Sequence, residues 1–188
     1  LTSTLQKLLE KLINWHIEHD LGLRDITTDN QHGFKRNFST DSALHKLTSR
    51  IEHSLAAGNQ ALGLFLDIEG AFDNISFESI RNNLAQSSIS PMVTNWICYM
   101  VSNRTISLSL NGVTITRRVS RGCPQGGVLS PLLWNITMNG LLSDPYLDKD
   151  FLQAFADDLA ILLGGIDIPT IRAKCQRYLV AINRWCTS

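Results

Sequence analysis

The chain has 188 residues, 44% of them hydrophobic, with 17 basic and 17 acidic side chains and no formal net charge. That length suits one sizeable domain or a domain with a small appendage, and that apolar content supports a packed core and excludes a disordered chain. No apolar run reaches the roughly 20 residues of a membrane span, so no membrane partner is expected.

Cysteines 98, 123, 175 and 186 are scattered and form no C-x-x-C pair. This disfavours a zinc knuckle or a disulfide framework and fits core thiols in a reducing compartment. Leu1-Thr2-Ser3-Thr4 lacks an initiator Met and a signal-peptide pattern, and the chain stops abruptly at Trp185-Cys186-Thr187-Ser188. Both ends read as cuts out of something longer. Charge is unevenly spread: Arg81, Arg104, Arg117, Arg118 and Arg121 lie between Glu78 and Asp144 with no acidic residue among them, so that segment is +5 and the remainder −5. A basic middle with carboxylates gathered elsewhere suits a protein that grips phosphate backbones and holds metal ions. A solvated arginine face is the equally weighted alternative.

In chain order, Leu5, Leu8, Leu9, Leu12, Ile13 and Ile17 recur at helical spacing from Thr4 to His19, with Ser3 or Thr4 as a cap. Packing is the expected job of that stripe; His16 and His19 beside Trp15 have no third ligand in view. Leu21 to Asn30 reads as a loop. Gln31 to Asp41 mixes aromatics, a glycine and the adjacent cations Lys35 and Arg36, a pattern that can bind phosphates and bases or can simply be a solvated basic loop. Ser39 or Thr40 then caps a helix through Ala43, Leu44, Leu47, Ile51 and Leu55, closed by Gly58. Ala61 to Asp67 is a short apolar run ending in a carboxylate, expected as a buried strand. Ser76 caps the next helix and Pro91 starts another. Two alternating runs, Thr105 to Leu110 and Val113 to Val119, flank Asn111-Gly112, a strong hairpin signal.

Arg121-Gly122-Cys123-Pro124-Gln125-Gly126-Gly127-Val128-Leu129-Ser130-Pro131 follows. Its glycines and prolines predict a fixed, unusual backbone that can approach a ligand closely, although a plain connecting loop has the same composition. An apolar helix from Leu132 to Leu142, an acidic loop from Asp144 to Asp150 and a final helix from Pro169 complete the order. Between the last two lies Phe151 to Leu163, two strand-length apolar flanks around Asp157-Asp158. No Lys or Arg lies within that run. A divalent cation held by oxygens at the tip of a tight hairpin would satisfy the pair, and an ordinary turn with two solvated aspartates remains open beside it. Asp67 adds a third carboxylate at a strand end. Three such carboxylates make a plausible two-metal site for phosphoryl or nucleotidyl transfer.

Four motifs in order carry a resemblance across nearly the whole chain: Gln31–Asp41 (QHGFKRNFSTD), Phe65–Asn74 (FLDIEGAFDN), Gly122–Pro131 (GCPQGGVLSP) and Phe155–Asp158 (FADD). The chain resembles the reverse transcriptase domain of a non-LTR (LINE-type) retrotransposon. The resemblance implies an α/β (α+β) right-hand polymerase palm with a mostly antiparallel sheet, helices on one face and part of the fingers. Residues 1–60 would be mainly fingers and 61–188 mainly palm with some fingers elements. It also implies that thumb, remaining palm elements, upstream extension and any endonuclease belong to the rest of a parent polyprotein, so this stretch alone can carry a complete carboxylate set and copy nothing.

The implied activity is RNA-directed DNA polymerisation with two Mg²⁺ ions, Mn²⁺ being a substitute. Asp67, Asp157 and Asp158, with the Ile68 backbone, would hold the metals. Phe72 would exclude a ribose 2′-OH, Ala71 and Gln125 would contact the dNTP, and Lys35 and Arg36 would hold its triphosphate. Gly126, Arg121 and Arg118 would contact nucleic acid, and Glu69 and Asp73 would be supporting carboxylates. The implied partners are an RNA or DNA template with its primer, dNTPs and the remaining polyprotein, and the implied location is the nucleus at the site of integration. Two alternatives are an RNA-dependent RNA polymerase palm, against which Phe72 and the PQG loop argue, and a non-catalytic nucleic-acid-binding remnant, against which the intact carboxylates and Gln125 argue.

Overall fold

The computed structural model describes residues 3–20, 27–145, 147 and 151–187. Its elements in chain order are α1 (Thr4–Asp20), α2 (Thr40–Ala56), β1 (Gln60–Leu66), α3 (Ala71–Asn74), α4 (Phe77–Gln86), α5 (Pro91–Ser102), β2 (Thr105–Leu110), β3 (Val113–Arg118), α6 (Ser130–Leu142), β4 (Phe151–Phe155), β5 (Asp158–Gly165) and α7 (Ile168–Cys186). They form two units, Leu1–Ile26 with Gly70–Thr137 and Thr27–Glu69 with Met138–Ser188. The chain boundary between them falls inside α6. Of the expected loops over 21–30 and 144–150, residues 21–26, 146 and 148–150 lie outside the described residues.

The second unit is built on an antiparallel sheet of order β1-β5-β4. β4 and β5 are the two apolar flanks of Asp157-Asp158, paired from Phe151↔Leu162 to Phe155↔Asp158. β1 pairs with the other edge of β5, from Gln60↔Gly165 to Leu66↔Leu159. The free edge of β4 receives a short parallel bridge: Ala154 N–H donates to Asn30 O and His32 N–H donates to Ala154 O, both at 2.8 Å.

The sheet differs from expectation in two ways. Helices cover both of its faces rather than one. A Cβ on Gly164 would meet Ser54 Oγ of α2 at 3.0 Å, whereas a Cβ on Gly165 would meet Ile171 Cγ1 of α7 at 2.9 Å. Consecutive strand residues point to opposite faces, so α2 and α7 lie on opposite sides. This is why β4 and β5, Gln153 and the turn aspartates apart, read as continuous apolar runs: both of their faces are covered. β1, by contrast, is not the buried strand its apolar run predicts. It is an edge strand, with Phe65 69% exposed, whereas Leu163 on the central strand β5 is fully buried.

Helix boundaries follow local chemistry. Ser39 opens α2 with a reciprocal capping box to Ser42, and Gly58 takes a left-handed φ of 74° just past its end. Ser76 caps α4, and Ser90 with Pro91 opens α5. In the first unit the core gathers around Ile75, Ile80, Leu84, Ile97, Val101 and Leu133. The β2–β3 hairpin turns at Asn111 (φ 49°) and Gly112 (φ 78°), the double positive φ of a type I′ turn.

α1 corrects another expectation. Its leucine stripe does not pack: Leu5, Leu8, Leu9, Leu12 and Trp15 are exposed, while Glu10 and Ile17 are completely buried. Glu10 Oε2 accepts from the N–H groups of Val128 (2.6 Å) and Leu129 (3.2 Å), and Gln6 Nε2 donates to Glu10 Oε1. Those bonds turn the Glu10 side of the helix inward. His19 stacks on Trp15 at 4.9 Å between ring centroids. No described helix is long and apolar enough to cross a membrane.

Candidate active site

The β4–β5 connection is as short as a hairpin allows. Phe155↔Asp158 is the last pair, so Ala156 and Asp157 are the whole turn. Of these two, Ala156 takes a positive φ of 56°, an unusual conformation for a residue with a side chain. Asp157 is half-buried and Asp158 exposed. β1 ends at Leu66 opposite Leu159, so Asp67 emerges at the sheet end that carries Asp158. Asp67 and Asp158 line one cavity of about 460 Å³, walled by Ala43, Leu44, Leu47 and Phe65. Gln153, 4% exposed, also lines it; its Nε2 donates to Ala43 O and its Oε1 has no hydrogen-bond partner among the described residues. Among the described residues no three His, Cys, Asp or Glu side chains gather closely enough to form a metal cluster. The structure therefore brings Asp67 and Asp158 to one cavity, with Asp157 next to it in the turn. Ile68 follows Asp67 in the same unit.

The turn is held from a segment distant in sequence. Gln31, fully buried, accepts from Gly33 N–H (2.9 Å) and Ala156 N–H (3.2 Å) through Oε1 and donates to Ala156 O (3.2 Å) through Nε2. Sequence reasoning missed Gln31. Its only local signal is a lone amide between a polar loop and a glycine.

The other expected contacts in the Gln31–Asp41 stretch separate. Lys35 is buried: its ammonium donates to Thr28 O (2.9 Å) and Asp29 Oδ1 (3.2 Å) and lies 4.6 Å from the centre of the Phe38 ring. Arg36 is exposed. His32 Nδ1 meets Ser42 Oγ at 2.9 Å, and burial together with the Lys46 and Lys35 charges lowers its pKa, Asp29 opposing them.

In the first unit, Ala71 is buried on α3 and the Phe72 ring lies 5.8 Å from that of Trp134. The glycine-rich loop docks on this short helix. Gly122 N–H donates to Ile75 O and Cys123 N–H to Phe72 O, both at 2.7 Å. Gly122 takes a φ of 87°, and a Cβ there would lie 2.7 Å from Asp73 O, so glycine is required twice over. Gln125 and Gly126 are exposed, and Gln125 Nε2 donates to Asp73 Oδ2 at 2.9 Å. The acceptor Asp73 thus buttresses the loop. Arg104 donates to Gly122 O and Val101 O, which commits one of the five arginines of the basic segment to structure. Arg118 and Arg121 are exposed, and Arg118 donates to Asn103 Oδ1. Burial pushes the Cys123 thiol up to about 12, so it stays protonated and is no nucleophile.

Residues 1–188 match the family model described as reverse transcriptase (RNA-dependent DNA polymerase). The chain is 28% identical over 193 residues to "Probable RNA-directed DNA polymerase from transposon BS" of Drosophila melanogaster, covering 99% of this chain and 21% of that protein. It is 26% identical over 194 residues to the RNA-directed DNA polymerase from mobile element jockey of the same species, covering 98% and 21%. The chain thus spans about a fifth of the length of these curated relatives. A telomerase structure from Candida tropicalis superposes with a TM-score of 0.63 at 15% identity, covering 92% of this chain and 30% of that one. The α+β architecture with antiparallel sheets is accordingly that of a right-hand polymerase fold. On the match over its whole length, the chain belongs to the reverse transcriptase (RNA-dependent DNA polymerase) family, and its relatives are those of non-LTR retrotransposons.

Proposed function

We propose that this chain is the nucleotidyl-transfer core of an RNA-directed DNA polymerase, with residues 1–60 mainly fingers and 61–188 mainly palm. The observation that carries the proposal is the meeting of Asp67 and Asp158 at one cavity, with Asp157 in the adjoining two-residue turn. The all-oxygen donor set of Asp67, Asp157, Asp158 and the Ile68 carbonyl fits hard divalent cations. Two Mg²⁺ ions, or Mn²⁺ in their place, would activate an attacking hydroxyl and stabilise a leaving oxygen there.

In the reaction the primer 3′-OH attacks the α-phosphate of a dNTP. A phosphodiester bond forms, the bond between the α and β phosphates breaks, and pyrophosphate leaves. The chain's own residues position the partners. Phe72 is the assigned barrier to a 2′-OH, backed by Trp134, and it discriminates by exclusion. Gln125, fixed by Asp73, and Ala71 are assigned to the nucleotide. Of the two fingers cations, exposed Arg36 is assigned to the triphosphate, because the Lys35 ammonium is engaged by Thr28 and Asp29. Gly126, Arg118 and Arg121 are assigned to the template–primer backbone. The parent polyprotein supplies the remaining grip on the duplex, and the work is done in the nucleus at the integration site.

Mn²⁺ titration of this chain, followed by calorimetry, tests the carboxylate assignment. Asp67→Asn and Asp157→Asn should each weaken binding roughly tenfold or more without lowering the melting temperature, because a carboxylate ligand is lost while the fold is kept. Unchanged affinity in both variants would sink the assignment.

A further inference from the structure

The Ala156–Asp157 turn carries a built-in cost. With φ positive at Ala156 only, it follows the type II′ pattern, in which glycine is the ordinary first central residue. An alanine stays there only if its surroundings hold it. Those surroundings come from residues 31–33. Gln31 bonds both backbone polar groups of Ala156, accepting from its N–H and donating to its O. Its Oε1 also takes the Gly33 N–H, which ties the cradle together. Gly33 lies so close to the turn that a Cβ on it would stand 2.1 Å from Ala156 N and 2.7 Å from Ala156 Cα. The cradle is in turn pinned to β4 by the paired bonds between Asn30, His32 and Ala154.

We propose that Gln31 is a positioning residue: with Gly33 it holds Ala156 in the left-handed conformation and thereby aims Asp157 and Asp158 at the metals. The inference rests on the carboxylate reading above. Its core can be checked apart from that reading. A side chain that bonds both N–H and C=O of one turn residue fixes the two peptide units on either side of it, and an unsatisfied buried amide would otherwise oppose the same geometry. Gln31 is fully buried and acts through the turn that it bonds.

The test compares this chain with its Gln31→Met variant, which keeps the shape and loses the bonds. Amide hydrogen exchange is read at Ala156, with Ile161 and Leu163 of β5 as references. The expected result is exchange at Ala156 faster by roughly tenfold with the two references unchanged. Mn²⁺ affinity should fall severalfold in the same variant. Equal protection of Ala156 in the two chains overturns the proposal, as does a loss spread evenly over all three amides, which would mean only lower overall stability. If Gln31→Met does not fold, Gln31→Glu serves: it keeps the acceptor for two N–H groups and loses the donor to Ala156 O, and a smaller increase confined to Ala156 is expected. Should Asp67→Asn and Asp157→Asn both bind Mn²⁺ as tightly as the original chain, the carboxylate reading fails and the aim assigned to Gln31 fails with it. The exchange comparison still decides whether Gln31 holds the turn.

Discussion

Glu10 shows how one side chain can overrule a helix pattern. A carboxylate removed from water is tolerated only when its lone pairs are filled, and here two backbone N–H groups and an amide fill them. Those N–H groups belong to Val128 and Leu129, just ahead of the first turn of α6, where donors have no partner within the helix. Glu10→Ala should therefore destabilise the chain by about 2–4 kcal/mol, and Glu10→Gln, which keeps an acceptor, by clearly less. Urea denaturation midpoints check both. Equal losses would mean that the negative charge of Glu10, and not its acceptor oxygen, holds the two N–H groups. No inspection of α1 alone reveals this role, because the partners lie 118 and 119 residues away. Gln31 is the same kind of residue, its two bonds to Ala156 spanning 125 positions. The three candidate aspartates stand out in the sequence for the opposite reason: each sits where an apolar run stops, and that contrast is local.

At the scale of elements, the segments that the sequence announces are those whose ends are set by short-range chemistry. The capping box at Ser39, the caps at Ser76 and Ser90, Pro91 and Asn111-Gly112 all work within a few residues. Which face an element buries depends on neighbours, and there the reading failed for α1, for β1 and for the count of covered sheet faces. The bridge between residues 30–32 and β4 adds a pH dependence of its own. His32 is buried, its Nε2 without a hydrogen-bond partner among the described residues, and that burial, together with the Lys46 and Lys35 charges, lowers its pKa against the pull of Asp29. Its folded pKa lies below its ordinary value, so the unfolded chain binds the proton more readily. The contribution to stability is complete above about pH 6.5, the unfolded histidine value, and is lost as pH falls through the lowered folded pKa. Denaturation midpoints measured between neutral and mildly acidic pH should fall in this chain and fall less in His32→Gln. Parallel curves would assign the loss to other groups.

For the whole molecule, a zero net charge conceals a division of labour. The carboxylates assigned to the metals belong to the unit with the three-stranded sheet, and most of the arginine-rich segment belongs to the other. Chain order alone does not show that division, since each unit draws on two separate stretches. The family and the right-hand fold were legible because four motifs keep their order and spacing. The share of the proposed activity that falls to this stretch is a different matter, because the relatives are about five times as long. Whatever lies in the other four-fifths of those relatives leaves no mark in these 188 residues.

The β2–β3 turn carries a consequence on a slower clock. Asn111 is exposed and followed by Gly112, whose lack of a side chain leaves its amide nitrogen open to the asparagine carbonyl carbon. Ring closure there expels ammonia, and hydrolysis of the resulting succinimide leaves aspartate or isoaspartate. Stored protein should therefore age first at this position, visible as an acidic variant by isoelectric focusing and as a modified peptide spanning Asn111 by mass spectrometry. Asn111→Asp introduces the charge alone and should leave the hairpin paired. Isoaspartate lengthens the backbone by one carbon, which the two-residue turn cannot absorb without losing the register from Thr105↔Arg118 to Leu110↔Val113. The feature that makes the hairpin legible is thus the one that limits its shelf life.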